Sequence, residues 1–181
     1  MAMSGSIIGP YRQLPAECLP YDGAAPVVAE RVAARITGGL DGVFVEHFGS
    51  TAVPGCQGKG VVDLMLIYAE GKLQAAIDRL ETLGFQKQST RDPFPEDRPM
   101  RIGSIVHEDR TFLLHVHVIC SASPEIDGLR RFRDRLRTDS DLRAAYIARK
   151  QKIIAMGITD SVDYSQHKSD FIVGAIANRA S

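Results

Sequence analysis

The sequence predicts an α/β (α+β) fold, a mixed β-sheet flanked by helices with a helical C-terminal third. Up to residue 120, short apolar runs typical of strands alternate with segments of helical apolar spacing. Beyond residue 120 the apolar residues recur at helical spacing alone. The chain has 181 residues, enough to bury a substantial core, so we expect one domain over residues 1–181.

The first elements are predicted from their boundaries as well as from their apolar spacing. Residues 1–23 contain three prolines and are expected to be irregular. Helical spacing then predicts a helix over Pro26–Leu40, closed by a pair of glycines. A strand over Val43–Phe48 leads into a Gly-Ser-Thr turn, and a second strand over Val61–Tyr68 is apolar except for Asp63.

After the second strand the spacing predicts an amphipathic helix from Leu73 to Leu83, which ends at a glycine. The proline-rich stretch Ser89–Met100 is predicted to be a loop or hairpin tip. Arg101–Val106 and Phe112–Cys120 are predicted to be antiparallel neighbouring strands. Three helical stripes follow: Ile126/Leu129/Phe132/Leu136, Leu142/Tyr146/Ile153 and Tyr164/Phe171/Ala175.

The composition excludes several classes of protein. There are 22 basic and 22 acidic side chains, and this balance argues against a non-specific nucleic-acid binder, so we do not expect a nucleic-acid partner. No apolar run approaches the ~20 residues of a membrane helix, and the N-terminus lacks a signal-peptide pattern, so we expect no membrane partner. The three cysteines stand at unrelated spacings, which indicates no disulfide framework and a cytoplasmic location.

Charge is concentrated in one region of this neutral chain. Residues 130–152 contain nine basic residues and three aspartates, a local net charge of +6. One interpretation is a solvated helical face. The other is a surface that faces an anion beside a phosphate site, and the sequence leaves both open.

The segment Glu46–Gly55, followed by Lys59 and Asp63, carries the clearest chemical pattern. Gly49 would let the backbone approach a phosphate, and the hydroxyls of Ser50 and Thr51 could donate to its oxygens. Asp63 stands in an apolar strand, where a carboxylate must be paired, hydrogen-bonded or bound to a metal. A structural turn with a capping aspartate would explain the same pattern.

Two histidines on a later strand could share a metal ion. His115 and His117 point to the same face of the strand, because alternate side chains do. With Asp63 and His47 they could supply two or three nitrogens and one oxygen, a set that favours Zn²⁺, Mn²⁺, Fe²⁺ or Ni²⁺ over Mg²⁺. Alternatively, the two histidines only form hydrogen bonds on a polar face of the sheet.

Lys59, Arg133 and Lys168 are the cationic candidates for binding a phosphate. Lys59 lies between the Gly-Ser turn and Asp63. Lys168 belongs to the apolar stripe of the last helix and therefore points towards the body of the protein. Its aliphatic stem could instead carry the ammonium group out to solvent.

The string from Glu46 to Gly55, with Lys59 and Asp63, resembles the signature of the GrpB family, which has the nucleotidyltransferase superfamily fold. The resemblance continues through the two strand histidines, Phe132-Arg133-Asp134 with Leu136-Arg137, Tyr146 with Lys150, and Tyr164 with Lys168. It implies that fold for residues of about 40–175, and related domains occur fused to dephospho-CoA kinases.

The chain departs from the pattern that this resemblance implies. Superfamily members hold Mg²⁺ with two carboxylates two residues apart, and the second position here is Met65. A third acidic residue is usual on a later strand, where this chain has His115 and His117. Gly60 stands where the family commonly has proline. The first two departures argue against standard two-Mg²⁺ nucleotidyl transfer.

We therefore expect a pocket for a small-molecule nucleotide or another phosphorylated substrate, with Asp63, His115 and His117 as catalytic candidates. The reaction would be transfer of a nucleotidyl or phosphoryl group to a small acceptor. Two alternatives stay open: a non-catalytic module that senses a nucleotide or a coenzyme A-related compound, and a metal-dependent hydrolase. A divalent metal (Mg²⁺, Mn²⁺ or Zn²⁺) is the only cofactor indicated.

Overall fold

The computed structural model describes residues 7–15, 17–158 and 160–177. Its elements are, in chain order, α1 (Ala25–Thr37), β1 (Val43–Phe48), β2 (Val62–Tyr68), α2 (Leu73–Leu83), β3 (Gln86–Lys87), β4 (Met100–His107), β5 (Arg110–Cys120), α3 (Glu125–Thr138), α4 (Ser140–Ala155) and α5 (Ser161–Ala177). The predicted mixed α/β architecture with a helical C-terminal third is confirmed.

The five strands form one mixed sheet in the order β1-β2-β5-β4-β3. The central strands β2 and β5 are parallel, and the other neighbours are antiparallel, including the predicted pair β4 and β5. In the central register Asp63 lies opposite His115, and Met65 lies opposite His117. Opposite residues share a face of the sheet, so these four side chains point to the same side.

The two faces of the sheet are covered by different helices. On one face, Leu64 and Val116 belong to the main core, which also contains buried residues of α1 and α2 such as Val32 and Leu80. On the other face, Met65 and three isoleucines form a smaller buried cluster with Leu129 and Phe48 packed against it. This smaller core leaves the part of that face around Asp63 for a cavity beneath the C-terminal helices.

Local signals explain where several helices begin and end. α1 ends at Gly38 as predicted, and α2 ends at Gly84, which adopts a left-handed conformation with φ 103°. The side chain of Asp139 accepts a hydrogen bond from the Leu142 N–H at 2.8 Å and caps the start of α4.

The structure corrects some predicted boundaries. α1 spans Ala25–Thr37 rather than Pro26–Leu40, and β3, of two residues, was not predicted. The described part of the irregular N-terminal segment forms isolated β-bridges, Gly9 with Ser104 and Leu19 with Gly58. Within the described ranges, no helix has both the length and the apolar character that crossing a bilayer requires.

Candidate functional site

A cavity of about 600 Å³ lies on the face of the sheet that carries Asp63. Side chains of β2 and β5, the Gly-Ser turn, the C-terminal helices and the loop over residues 88–95 line it. The charged and titratable lining side chains include Lys59, Arg133, Lys150, Lys168, Asp63, Asp92, His115, His117, Tyr11, Tyr146 and Tyr164. A cavity of this size can enclose a small organic ligand.

Asp63, His115 and His117 come together in this cavity. One donor atom from each lies within 4.8 Å of the others. The closest pair is His115 Nδ1 and Asp63 Oδ1, 3.3 Å apart. The parallel register explains this grouping, since Asp63 and His115 are directly opposite and His117 is two residues further along the same face.

Asp63 is held in its charged form by its neighbours. Burial alone would raise the pKa of Asp63, but the hydrogen bond from His115 and the nearby charge of Lys168 help to hold the pKa below its ordinary value. The carboxylate is therefore available as a ligand or as a hydrogen-bond acceptor at neutral pH.

His117 is a neutral imidazole with an unused nitrogen. Burial lowers the pKa of His117 to about 3. Its ring makes T-shaped contacts with the rings of Phe48 and Phe94, each at a centroid distance of 5.2 Å. Its Nδ1 atom is buried and has no hydrogen-bond partner among the described residues. A neutral nitrogen without a partner is what a metal ion or a ligand N–H or O–H would contact.

The N-terminal segment contributes Tyr11, which sequence reasoning missed. The hydroxyl of Tyr11 lies 3.0 Å from His115 Nε2, and the two rings are 5.4 Å apart. Burial and the charge of Asp63 raise the pKa of Tyr11 to about 12, so its hydroxyl stays protonated. His115 is therefore held at both nitrogens, by Asp63 and by Tyr11.

Gly49 is required by the position of the Asp63 carboxylate. A Cβ atom at position 49 would lie 2.5 Å from Asp63 Oδ2. The residue also has φ 74° and ψ −171°, a backbone conformation that is essentially restricted to glycine. The structure thus gives a further reason for this glycine, because its missing side chain makes room for the carboxylate, and the predicted approach to a phosphate stays a prediction.

Three lysines face the cavity without a carboxylate ion pair among the described residues. The ammonium groups of Lys59 and Lys168 lie 4.2 and 4.7 Å from the ring centroid of Tyr164. Burial lowers the pKa of Lys59, and it lowers the pKa of Lys168 to about 8. The hydroxyl of Tyr164 is buried and has no partner among the described residues.

The third lysine, Lys150, was not predicted as a site residue. In the structure it is buried, with 1% of its surface exposed. Its Nζ donates to Ser50 Oγ at 3.0 Å and to the Gln57 carbonyl, and it lies 3.6 Å from Cys56 Sγ. Lys150 therefore fixes the predicted Gly-Ser turn to α4. The occurrence of Lys150 in the motif with Tyr146 was a signal for this role.

Two predicted site residues, His47 and Thr51, are not in the positions expected for ligand contact. His47 lies opposite Leu64, on the other face of the sheet from Asp63, so the expectation that it joins the metal ligands is corrected. The Thr51 hydroxyl donates to the Val61 carbonyl at 3.0 Å and lies 2.9 Å from His47 Nε2. This hydroxyl is committed to the loop, since it has one hydrogen to donate.

Arg133 borders the cavity, but its guanidinium group is already engaged. It donates to the carboxylates of Asp134 and Glu46 at 2.8 and 3.2 Å and to the His47 carbonyl at 3.1 Å. These contacts connect α3 to β1. The predicted phosphate contact from Arg133 would compete with all of them.

Comparison with known proteins decides the family. A family model described as "GrpB protein" matches residues 15–178. The chain belongs to the GrpB family. It is 36% identical over 138 residues to the UPF0157 protein SCO7215 of Streptomyces coelicolor, covering 76% of this chain and 69% of that protein. It is 30% identical over 165 residues to BH1888 of Halalkalibacterium halodurans, covering 90% and 80%.

Solved structures place this GrpB protein among nucleotidyltransferase-like folds. The crystal structure of the conserved protein GrpB from Enterococcus faecalis superposes with a TM-score of 0.68 at 22% identity, covering 88% of this chain and 94% of that one. The structure of mtPAP in complex with ATPγS gives a TM-score of 0.53 at 17% identity, covering 82% of this chain and 38% of that one. These likenesses establish the fold alone.

The residues present do not fit the Mg²⁺ centre that this fold implies. Mg²⁺ requires oxygen ligands, and the position two residues after Asp63 holds Met65, which is fully buried. His115 and His117 supply nitrogen instead. Asp63 is the one carboxylate in the described three-residue cluster.

Proposed function

We propose that this GrpB protein binds a phosphorylated small molecule, of which a nucleotide is the best match, and transfers a nucleotidyl or phosphoryl group to a small acceptor. The observation that supports it is the cavity's unbalanced positive charge. Lys59, Lys150 and Lys168 face one space and have no ion-pair partner among the described residues, whereas Asp63 already contacts His115.

Buried cations without counter-ions are costly, so such a group is stabilised by an anionic ligand. Phosphate oxygens carry concentrated charge and accept hydrogen bonds from ammonium groups. Lys59 and Lys168 both contact the ring of Tyr164, whose buried hydroxyl has no partner within the described part of the chain. These three side chains together would bind phosphate oxygens at one end of the cavity.

The chain's own residues can serve a transfer reaction in separate ways. Lys59 and Lys168 would neutralise the charge that develops on the phosphate in the transition state. Asp63 with His115 would hold a metal or orient the acceptor hydroxyl. Lys150 keeps the Gly-Ser turn in place through Ser50. A bound divalent metal would add Lewis-acid stabilisation of the transferred group.

A second candidate is a non-catalytic module that senses a nucleotide or a coenzyme A-related compound. The fully buried Met65 favours it, because this residue occupies the position of a missing carboxylate. The proposal includes a cytoplasmic location, with which the three free cysteines Cys18, Cys56 and Cys120 are consistent.

The test is a thermal-shift screen against nucleoside triphosphates, coenzyme A precursors, inorganic phosphate and pyrophosphate. A ligand that binds only the folded chain raises the melting temperature with concentration. The proposal expects a phosphorylated compound to give such a rise in the parent protein and in the surface control Lys72→Gln, and a smaller rise at the same concentration in Lys168→Gln. No rise with any compound would refute it. Product analysis with the best nucleotide then separates transfer from sensing.

A further inference from the structure

The metal-binding side chains beside the lysines differ from those of a Mg²⁺ centre. They include fewer carboxylates, and two of the three supply nitrogen instead of oxygen. We propose that Asp63, His115 and His117 form a transition-metal site, with Zn²⁺, Co²⁺, Mn²⁺ or Fe²⁺ as its ion, and that Tyr11 positions His115 for it. This inference deepens the proposed function by naming the cofactor of the same cavity. It rests on the proposed function in one respect, that the metal takes part in group transfer.

The first argument for a metal site is the geometry of the three donor side chains. Their donor atoms lie within 4.8 Å of one another, and the shortest separation is 3.3 Å between Asp63 Oδ1 and His115 Nδ1. Ligands about 2.0–2.2 Å from a common ion are about 3–3.5 Å apart, so small side-chain adjustments suffice. All three side chains extend from two adjacent parallel strands, which is a rigid support for a metal site.

The second argument is the environment of the His117 imidazole. A pair consisting of Asp63 and His115 alone would be sufficient to orient an acceptor hydroxyl. That pair would not explain why the next side chain on the same face of the strand is an imidazole whose buried nitrogen has no partner among the described residues. As far as the structure describes the chain, His117 Nδ1 is such an atom, and a metal ion shared with Asp63 and His115 accounts for it.

The third argument is the chemical type of the three ligands. Two imidazoles and one carboxylate are typical of Zn²⁺ and of Fe²⁺, Mn²⁺ and related ions, whereas Mg²⁺ prefers oxygen ligands and retains water. Three protein ligands leave at least one coordination position for water or a substrate oxygen. The neighbouring lysines would then bind the remaining charge of a phosphorylated ligand.

Tyr11 supplies the outer contact that metal-binding histidines usually have. Its hydroxyl, 3.0 Å from His115 Nε2, can accept the Nε2–H and so, in the metal-bound form, leave the Nδ1 lone pair free for an ion shared with Asp63. Tyr11 lies before the family match, which begins at residue 15. It is held by a hydrogen bond from its own N–H to Gln86 at 3.1 Å and by the adjacent bridge between Gly9 and Ser104.

The experiment titrates the chelator-treated full chain with Co²⁺, Zn²⁺ and Mg²⁺ in the absence of any phosphorylated compound. We expect one Co²⁺ or Zn²⁺ ion per chain, visible absorption from the Co²⁺ form, and Mg²⁺ affinity at least about 100-fold weaker. Asp63→Asn and His117→Ala should lose the ion. His107→Ala, a control histidine on β4 away from the cavity, should retain it.

The Tyr11→Phe variant tests the positioning role and removes only one oxygen atom. We expect about 10–100-fold weaker metal affinity and an altered Co²⁺ spectrum, with neither change in the control Tyr21→Phe. Equal affinity and an unchanged spectrum would overturn the role of Tyr11. If His117→Ala does not fold, the metal titrations of Asp63→Asn and Tyr11→Phe still test the proposal.

Failure of the metal site and failure of the proposed function are distinguishable. Wild-type protein that binds no Co²⁺ or Zn²⁺, prefers Mg²⁺, or binds an ion that Asp63→Asn and Tyr11→Phe leave unchanged would overturn the metal inference. The lysine-dependent thermal shift with phosphorylated compounds, measured in chelator, tests the anion pocket separately.

Discussion

Asp63 connects the sequence pattern to the site more directly than any other residue. A carboxylate inside an apolar strand predicts a partner, and the structure supplies His115 at 3.3 Å. That Asp63 needs a partner was predictable from one strand. Which partner it has depends on the parallel register of β2 and β5, and pairing between strands that are distant in sequence is not encoded in either strand alone.

We predict that Asp63→Asn folds but does not respond to metal. Asparagine keeps the shape and one acceptor oxygen of the side chain but loses the charge. The free energy of unfolding should stay within about 1–2 kcal/mol of the parent. Denaturant unfolding and metal titration on one preparation check both statements. A variant that binds metal normally but unfolds easily would make Asp63 a structural ion-pair partner.

Gly49→Ala should weaken binding by displacing the Asp63 carboxylate. The new Cβ would lie 2.5 Å from Asp63 Oδ2, and the backbone has φ 74°. Gly42→Ala is the matched control, because Gly42 has φ 72° and no atom within 4 Å of its added Cβ. Both variants should lose about 1–3 kcal/mol of stability, whereas only Gly49→Ala should lose metal binding. Equal binding by the two variants would contradict this explanation.

Lys168 should make anion binding depend on pH. Burial lowers the pKa of Lys168 to about 8, so the free protein loses this positive charge as the pH rises through about 8. The affinity for ATP should therefore fall above that pH in the parent and not in Lys168→Gln. The titration of ATP itself is common to both proteins, so the difference between their calorimetric pH profiles measures Lys168. Identical profiles would contradict the assignment.

At the scale of elements, the basic stretch over residues 130–152 mainly connects helices to their surroundings. Arg130 pairs with Glu46 on β1, and Arg137 donates to the Ala52 carbonyl at 3.0 Å. Arg149 donates to the His167 carbonyl at 2.8 Å, while Lys150 is buried at the cavity. Neither sequence interpretation, a solvated face or an anion surface, predicts the contacts of these three arginines, because their partners come from distant segments.

Arg133 should act through stability more than through ligand binding. Its side chain is 14% exposed and bonds both Glu46 and Asp134. Arg133→Met should lower the free energy of unfolding by about 1–3 kcal/mol, since the half-buried Glu46 loses a partner. The exposed Arg131→Met is the control and should change it by less than about 0.5 kcal/mol. Denaturant unfolding measures both. A loss of ATP affinity in Arg133→Met as large as that in Lys168→Gln would contradict this role.

Elements differ in how well the sequence predicts them. The apolar runs of β2 and β5 are long enough to predict strands, and glycines indicate where α1 and α2 end. The two-residue strand β3 has no periodicity to detect. The contribution of Tyr11 was equally invisible, because an irregular segment reaches His115 through tertiary contacts alone.

At the scale of the whole molecule, a chain with no net charge places in one cavity three lysines that have no carboxylate partner among the residues described. The nucleotidyltransferase-like fold brings this about by parallel pairing of β2 with β5 and by setting the C-terminal helices over the same face. The fold class and the Gly-Ser segment were predictable from local patterns. The position of Lys150 and the exclusion of His47 were not, since both depend on packing across the sheet.

The central claim is that these lysines bind a phosphorylated ligand, and calorimetric titration with ATP tests it most directly. The double variant Lys59→Gln with Lys168→Gln is compared with Lys72→Gln with Lys87→Gln, which removes the same charge from exposed positions. We predict that the parent and the surface variant bind ATP alike and that the cavity variant loses at least about tenfold in affinity, or about 1.4 kcal/mol. Equal ATP affinity in all three proteins, or no binding by the parent, would contradict the claim.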